Sequence, residues 1–127
     1  MLNIDGKKNL NGGDLAFVGD AYYELCIRNH LINKGYTSLY KLHDECVKYV
    51  SAKAQAYIVN EIISELSEEE ESIYKRGRNY SYKNKSPEYV KASGFEALLG
   101  YLFLLSRFER LEYLVDKAID TIEKTLN

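Results

Sequence analysis

The sequence predicts an all-α domain, a bundle of helices, on three observations. Its 127 residues include a single proline, Pro87, so little in the chain forbids a continuing helix. Alternating runs of β-branched and polar residues, the mark of half-buried strands, are scarce. Apolar residues instead recur at spacings of three and four in several separate segments.

The first helix is expected from about Asp14 to Asn33, with Leu15, Val18, Tyr22, Leu25 and Ile32 as its buried face. Gly35 lies just past its end, suited to a left-handed stop. A second helix begins near Ser38 and carries Leu39, Leu42, Cys46, Tyr49 and Val50; it either continues or breaks near Ser51 into Ala54, Ile58, Ile62 and Leu66. Ser67 and Glu70 have the spacing of a capping box, and Glu68, Glu69 and Glu70 complement the positive start of a short helix ending near Arg78. Residues Asn79 to Ser86, rich in Asn, Ser and Lys, read as a loop. Helix resumes after Pro87 through Phe95, Leu98, Leu99, Leu102 and Phe103. Ser106 with Glu109 repeats the capping spacing, and Leu111, Leu114, Val115, Ala118, Ile119, Ile122 and Leu126 form the stripe of the last helix. The whole, residues 1–127, reads as one domain, with about 1–12 as a flexible N-terminal extension.

Composition narrows the function classes. Hydrophobic residues at 46% and charged residues at 28% are those of an ordinary globular chain, which excludes wholesale disorder. No apolar run approaches the roughly 18 residues that a membrane helix needs. The N-terminal residues lack the order of a signal peptide. Two cysteines, Cys26 and Cys46, have no paired spacing and cannot build a thiolate zinc cage, so a reducing cytoplasm is expected. The net charge of −2 hides a separation: Lys75 to Lys91 holds six basic residues against Glu88, while Glu61 to Glu71 holds six glutamates and no base. A polyanion responds to the local field rather than the total.

Two segments place acids where an anonymous bundle would have none. Asp20 directly follows Gly19 inside an apolar stretch, a combination poor in helix propensity and costly to bury without a cation or donor. Glu96 lies between Gly94 and Gly100, whose missing side chains admit a close backbone or ligand. Two carboxylates on neighbouring helices can hold Mg²⁺ while waters complete its shell. Such an ion activates water and neutralises charge on a phosphodiester. The alternative is that each acid pairs with an arginine or caps a helix.

Phe17-Val18-Gly19-Asp20-Ala21 and Phe95-Glu96-Ala97-Leu98-Leu99-Gly100 resemble the signature pair of the ribonuclease III catalytic domain. The likeness extends to Tyr49-Val50-Ser51-Ala52-Lys53-Ala54-Gln55-Ala56 and Arg76-Gly77-Arg78-Asn79, which are similar to Mini-ribonuclease III, the short bacterial branch without a double-stranded-RNA-binding domain. It runs from about Gly13 through nearly all of the chain, with its blocks in the family's order. The resemblance implies the ribonuclease III endonuclease bundle and Mg²⁺-dependent cutting of double-stranded RNA, leaving 5′-phosphate and 3′-hydroxyl ends. It makes Asp20 and Glu96 the catalytic and metal-binding acids. It further implies a symmetric homodimer whose two sites each cut one strand, leaving a short 3′ overhang. The implied substrate is the ends of 23S ribosomal RNA precursors, with a large-subunit ribosomal protein assisting. Two further acids of the family pattern fall on Ala16 and Ser93, so those roles are not carried over. Water, phosphate oxygens or Glu24 are left to fill the remaining metal positions, though Glu24, one turn after Asp20, is expected rather in a structural hydrogen bond; the Ala16-Phe17 start of the helix is compatible with a partner surface.

A-form RNA is recognised by shape, phosphates and 2′-hydroxyls. Lys48, Ser51, Lys53 and Gln55 are expected to line one such surface, and Arg76, Arg78, Lys83 and Lys85 a second, mobile one interleaved with Tyr80, Tyr82 and Tyr89. Without an appended binding domain, affinity should be modest and salt-sensitive. Two other readings compete. His43-Asp44, with His30, matches the dipeptide of the HD phosphohydrolases, but two histidines in all are too few for that metal site. A non-catalytic helical RNA-binding or assembly module would explain the missing acids, though not the retention of Asp20 and Glu96 inside apolar helices.

Overall fold

The computed structural model describes residues 9–126. Its first helix, α1 (Gly12–Asn33), starts two residues earlier than the apolar spacing suggests. Asn11 is the reason: its Oδ1 accepts from Asp14 N at 2.8 Å while Asp14 Oδ2 accepts from Asn11 N at 3.4 Å. This reciprocal cap offsets the poor propensity of Gly12 and Gly13. Of the extension expected over about 1–12, residues 1–8 lie outside the described residues. The remainder belongs to the domain, with Leu10 packed on the core and its carbonyl accepting from Arg76 Nη1 at 3.3 Å.

The buried face of α1 is rotated from the expected one. Leu15, Ala16, Gly19, Tyr23, Ile27 and Leu31 face inward, Val18 and Tyr22 flank them, and Leu25 and Ile32 are exposed. Apolar residues surround so much of this helix that their spacing admits more than one stripe; the ridge at intervals of four is the one that seats against another helix. The helix ends as the sequence predicts. Gly35 takes φ +100°, Gly35 N bonds Ile32 O at 3.0 Å and Tyr36 N bonds Leu31 O at 3.2 Å, the paired closure of a Schellman motif.

Helices α2 (Leu39–Val50) and α3 (Ala52–Ile62) are separated by a single residue. Ser51 is extended at ψ 155°, which ends α2, and its Oγ accepts from Ala54 N at 3.2 Å, so one residue both stops α2 and starts α3. A 3₁₀ turn (Ile63–Glu65) leads to α4 (Glu68–Arg78). Ser67 and Glu70 form their capping box there. Buried Glu70 also receives a forked pair from Arg110, at 2.8 and 2.9 Å, which ties the start of α4 to the last helix.

Ser86 and Pro87 open α5 (Pro87–Leu104), the axis of the bundle, which packs against α1, α3, α4 and the final helix α6 (Phe108–Leu126). From Ala92 to Leu102 every residue of α5 is buried except Glu96. A helix apolar on all sides must be enclosed on all sides, and this one is. Ser106 does not cap α6 as its spacing with Glu109 suggests. It takes φ 58° and closes α5 instead, with Ser106 N on Phe103 O at 3.0 Å and Arg107 N on Leu102 O at 2.9 Å, the same closure that Gly35 makes. The capping spacing is a local signal; the end of α5 claims the residue first.

The crossing of α1 and α5 has no room for side chains. A Cβ on Gly19 would overlap the carbonyl of Glu96, 2.5 Å from its carbon, and one on Gly100 would lie 3.0 Å from Leu15 C and 2.9 Å from Gly19 N. Backbone therefore rests on backbone at this point.

Candidate active site

That crossing brings the two acids together. Asp20 follows Gly19 on α1, and Glu96 is the residue of α5 whose carbonyl lies against Gly19. The two carboxyls are close neighbours, with Asp20 exposed and Glu96 half-buried. Burial first, and then the hydrogen bond and charge of Asp20, hold the Glu96 carboxyl well above the usual carboxylate range. Like charges this close oppose ionisation of the buried partner.

A third side chain completes the arrangement. Gln55, 2% exposed on α3, donates from Nε2 to Glu96 Oε2 and to Val50 O, both at 3.0 Å. It is not an RNA-facing residue alongside Lys53, as its place in the sequence block suggests. Two positions along a helix turn through about 200°, so residues 53 and 55 lie on opposite sides. Gln55 is instead in phase with buried Ile58, Val59 and Ile62, a signal present in the sequence. Glu24 is half-buried and accepts from Arg28 Nη2 at 3.4 Å; its charge adds to the rise at Glu96. Ala16 is in the core and Ser93 is buried and hydrogen-bonded to Tyr82. Among the described residues no three His, Cys, Asp or Glu side chains form a metal-ligating group, so the acids stand as a pair.

The expected RNA-facing residues fall on two separate parts of the surface. Lys48, Ser51 and Lys53 line one shallow depression with Tyr57, Ile122 and Thr125. Lys48 Nζ is paired with Glu45 at 2.6 Å, and Ser51 Oγ is engaged as a cap. Arg76 and Arg78 lie on the last turn of α4, Arg76 on Leu10 O and Arg78 over the ring of Tyr74. Lys83 and Lys85 are exposed in the connection to α5. The tyrosines interleaved with them are tied to the bundle. Tyr82 Oη donates to Gly77 O at 2.8 Å, and the Tyr80, Tyr82 and Tyr89 rings stack edge-on at 5.0 and 5.4 Å.

The histidines form no second centre. His30 Nε2 lies 2.8 Å from Glu123 Oε2, which also accepts from Lys34 Nζ at 2.7 Å and Tyr49 Oη at 2.8 Å, while His43 and Asp44 are exposed. His30 fastens α6 to α1 and α2.

Comparison with known proteins identifies the family. The Ribonuclease III domain family matches residues 13–107. The chain is 49% identical over 121 residues to the Mini-ribonuclease 3 of Streptococcus pneumoniae, covering 90% of this chain and 94% of that one. It is 44% identical to the Mini-ribonuclease 3 of Thermoanaerobacter sp., covering 98% and 91%. The crystal structure of a Fusobacterium nucleatum protein superposes with a TM-score of 0.80 at 34% identity, over 88% of this chain and 93% of that one. The family is one of enzymes, and this disposes of the non-catalytic and HD-type readings. With its acids paired across α1 and α5, the chain belongs to the ribonuclease III family, in the Mini-ribonuclease 3 branch, the endoribonucleases of double-stranded RNA.

Proposed function

We infer that this chain hydrolyses phosphodiesters of duplex RNA at the Asp20–Glu96 pair with Mg²⁺ bound, leaving 5′-phosphate and 3′-hydroxyl ends. The observation that carries the reading is the meeting of two carboxyls, Asp20 and Glu96, where α1 and α5 cross with the Gly19 backbone against that of Glu96. A hard divalent cation fits this donor set. Its ligands would be oxygens alone, and its charge would offset the repulsion between the two neighbouring acids. Asp20 and Glu96 would hold it, and once bound it supplies charge neutralisation at the phosphate and acidifies water. Asp20, exposed, faces the solvent from which RNA arrives, and Glu96, half-buried, is held by Gln55. Lys48, Lys53, Arg76, Arg78, Lys83 and Lys85 bind the phosphates on either side, with Ser51 beside Lys48 and Lys53.

The working form is a homodimer. Phe17 and Leu25, 81% and 65% exposed, share one face of α1 with Ala21 and with Ile32, 55% exposed. An apolar stripe of this length on the helix that carries Asp20 suits a second copy of the chain. Ala16 belongs to the core and not to this stripe. The substrate is the paired ends of 23S ribosomal RNA precursors in the cytoplasm, with a large-subunit ribosomal protein assisting; this part rests on the family likeness.

Incubation with long duplex RNA, with and without Mg²⁺, tests the reading. Discrete fragments bearing 5′-phosphates are expected only with the ion. Asp20→Asn should still bind RNA and cease to cut it, and undiminished cutting by that variant refutes the role given to Asp20.

A further inference from the structure

Gln55 is the one buried polar side chain near the paired acids whose own demands are unmet. Its Nε2 is fully used, by Glu96 Oε2 and by Val50 O. Its Oε1 is buried and has no hydrogen-bond partner. An unsatisfied buried carbonyl oxygen is destabilising, a cost that an apolar side chain of similar size does not carry. The orientation is also fixed: both neighbours of Nε2 are acceptors, so exchanging N and O would set oxygen against oxygen twice.

We propose that Gln55 is a positioning residue, which fixes the rotamer of the Glu96 carboxylate from α3 so that its free oxygen is presented toward Asp20 and the cation they would share. The inference rests on the function assigned above. Three elements meet at this carboxamide. It is carried on α3, its Nε2 is anchored to the last carbonyl of α2, and it holds the carboxylate of α5. Glutamate has several rotatable bonds, and one oxygen held at 3.0 Å removes most of that freedom before a ligand arrives. Outer partners of metal-binding carboxylates act in this way, and their loss typically weakens metal affinity or activity by about 10–100-fold.

The test uses the full chain and Gln55→Leu, with Gln55→Met as a second apolar replacement. Calorimetry should show Mn²⁺ and Mg²⁺ binding weakened by about 10–100-fold, with some loss of thermal stability because Val50 O and Glu96 Oε2 lose their donor. Cleavage of duplex RNA should lose kcat with KM unchanged, and excess Mn²⁺ should restore it. A purely structural glutamine would lower stability and leave metal affinity alone, and either that result or a loss confined to KM overturns the proposal. Should both replacements fail to fold, the unmodified chain decides. The Gln55 side-chain amide signals must shift in NMR spectra as Mg²⁺ is added, saturating with the calorimetric binding curve, and signals that stay put while Mg²⁺ binds also overturn it. Glu96→Gln separates the two levels. If that variant cuts RNA normally the functional assignment itself fails, whereas a dead Glu96→Gln beside a fully active Gln55→Leu removes only the role of Gln55.

Discussion

Gly19→Ala tests the fold and the site together. The added methyl would overlap the Glu96 carbonyl, 2.5 Å from its carbon and 2.9 Å from Gly100 N. Carbon atoms in contact sit roughly 3.5–4.0 Å apart, so α1 and α5 must separate locally by about 1 Å. Both walls are backbone, so no rotamer change can absorb the strain. Overpacking of this kind costs about 1–3 kcal/mol and occasionally more, and a gap of 0.5–1 Å along the crossing forfeits roughly a quarter to a half of its dispersion contacts. A total of about 3 kcal/mol or more lowers Tm by roughly 12 °C for a domain near this size. The Asp20–Glu96 contact opens with the helices, and a misplacement of about 1 Å is worth on the order of 100-fold in rate. Thermal unfolding by circular dichroism and single-turnover RNA cleavage, well below the variant's midpoint, measure the two effects. A variant with the parental Tm and parental cleavage rate would refute the backbone-on-backbone crossing. Gly35→Ala is the control, since Gly35 has open space around it and differs only in its positive φ. It should lose about 1 kcal/mol and no activity.

Other expectations follow from side chains away from the acids. Ser106→Gly relieves a left-handed non-glycine residue and should raise stability by roughly 0.5 kcal/mol, the relief of about 1 kcal/mol being partly offset by the freer unfolded chain; an unchanged or lower Tm would count against the closure described for α5. Burial raises the Glu123 carboxyl, but His30, Lys34 and Tyr49 outweigh it and hold it at about 2. Because the folded value is depressed, the stabilisation is present above the ordinary carboxylate range and lost as pH falls toward 2. Glu123→Gln should therefore cost on the order of 1–2 kcal/mol near neutrality, allowing for partial solvent exposure, and progressively less in urea titrations at lower pH. A deficit that does not shrink on acidification would show that charge is not the source. Tyr82→Phe removes the hydroxyl on Gly77 O and should cost about 1 kcal/mol while speeding amide exchange in the connection between α4 and α5, measured by hydrogen exchange.

What the sequence revealed followed the range of each signal. Caps and stops made within a few residues were legible: the Ser67–Glu70 box, the break at Ser51 and the turn at Gly35 all formed. Asn11 extended α1 past the first apolar residue because a reciprocal cap outweighed two glycines. The inward face of α1 was misread because its apolar residues nearly encircle the helix, and only the ridge of α5 selects among the stripes. Ser106 was misread because two helix ends compete for it and the tighter closure prevails. Asp20 and Glu96 stood out as acids in apolar runs beside glycines, but their contact depends on a crossing between elements some 75 residues apart, which no local pattern encodes. Gln55 was grouped with its sequence neighbours when helical phase had already turned it inward.

The late position of the axial helix bears on how the chain is made. Leu15 and Tyr23 pack on a segment that begins at Pro87, so the emerging N-terminal half lacks its main partner and has only the smaller contact of α1 with α2 to fold on. At a synthesis rate of roughly 5–20 residues per second, that surface stays bare on the ribosome for several seconds or more. Structure then arrives nearly at once, when α5 clears the exit tunnel. Shielding of the nascent helix by chaperones would matter most in that interval.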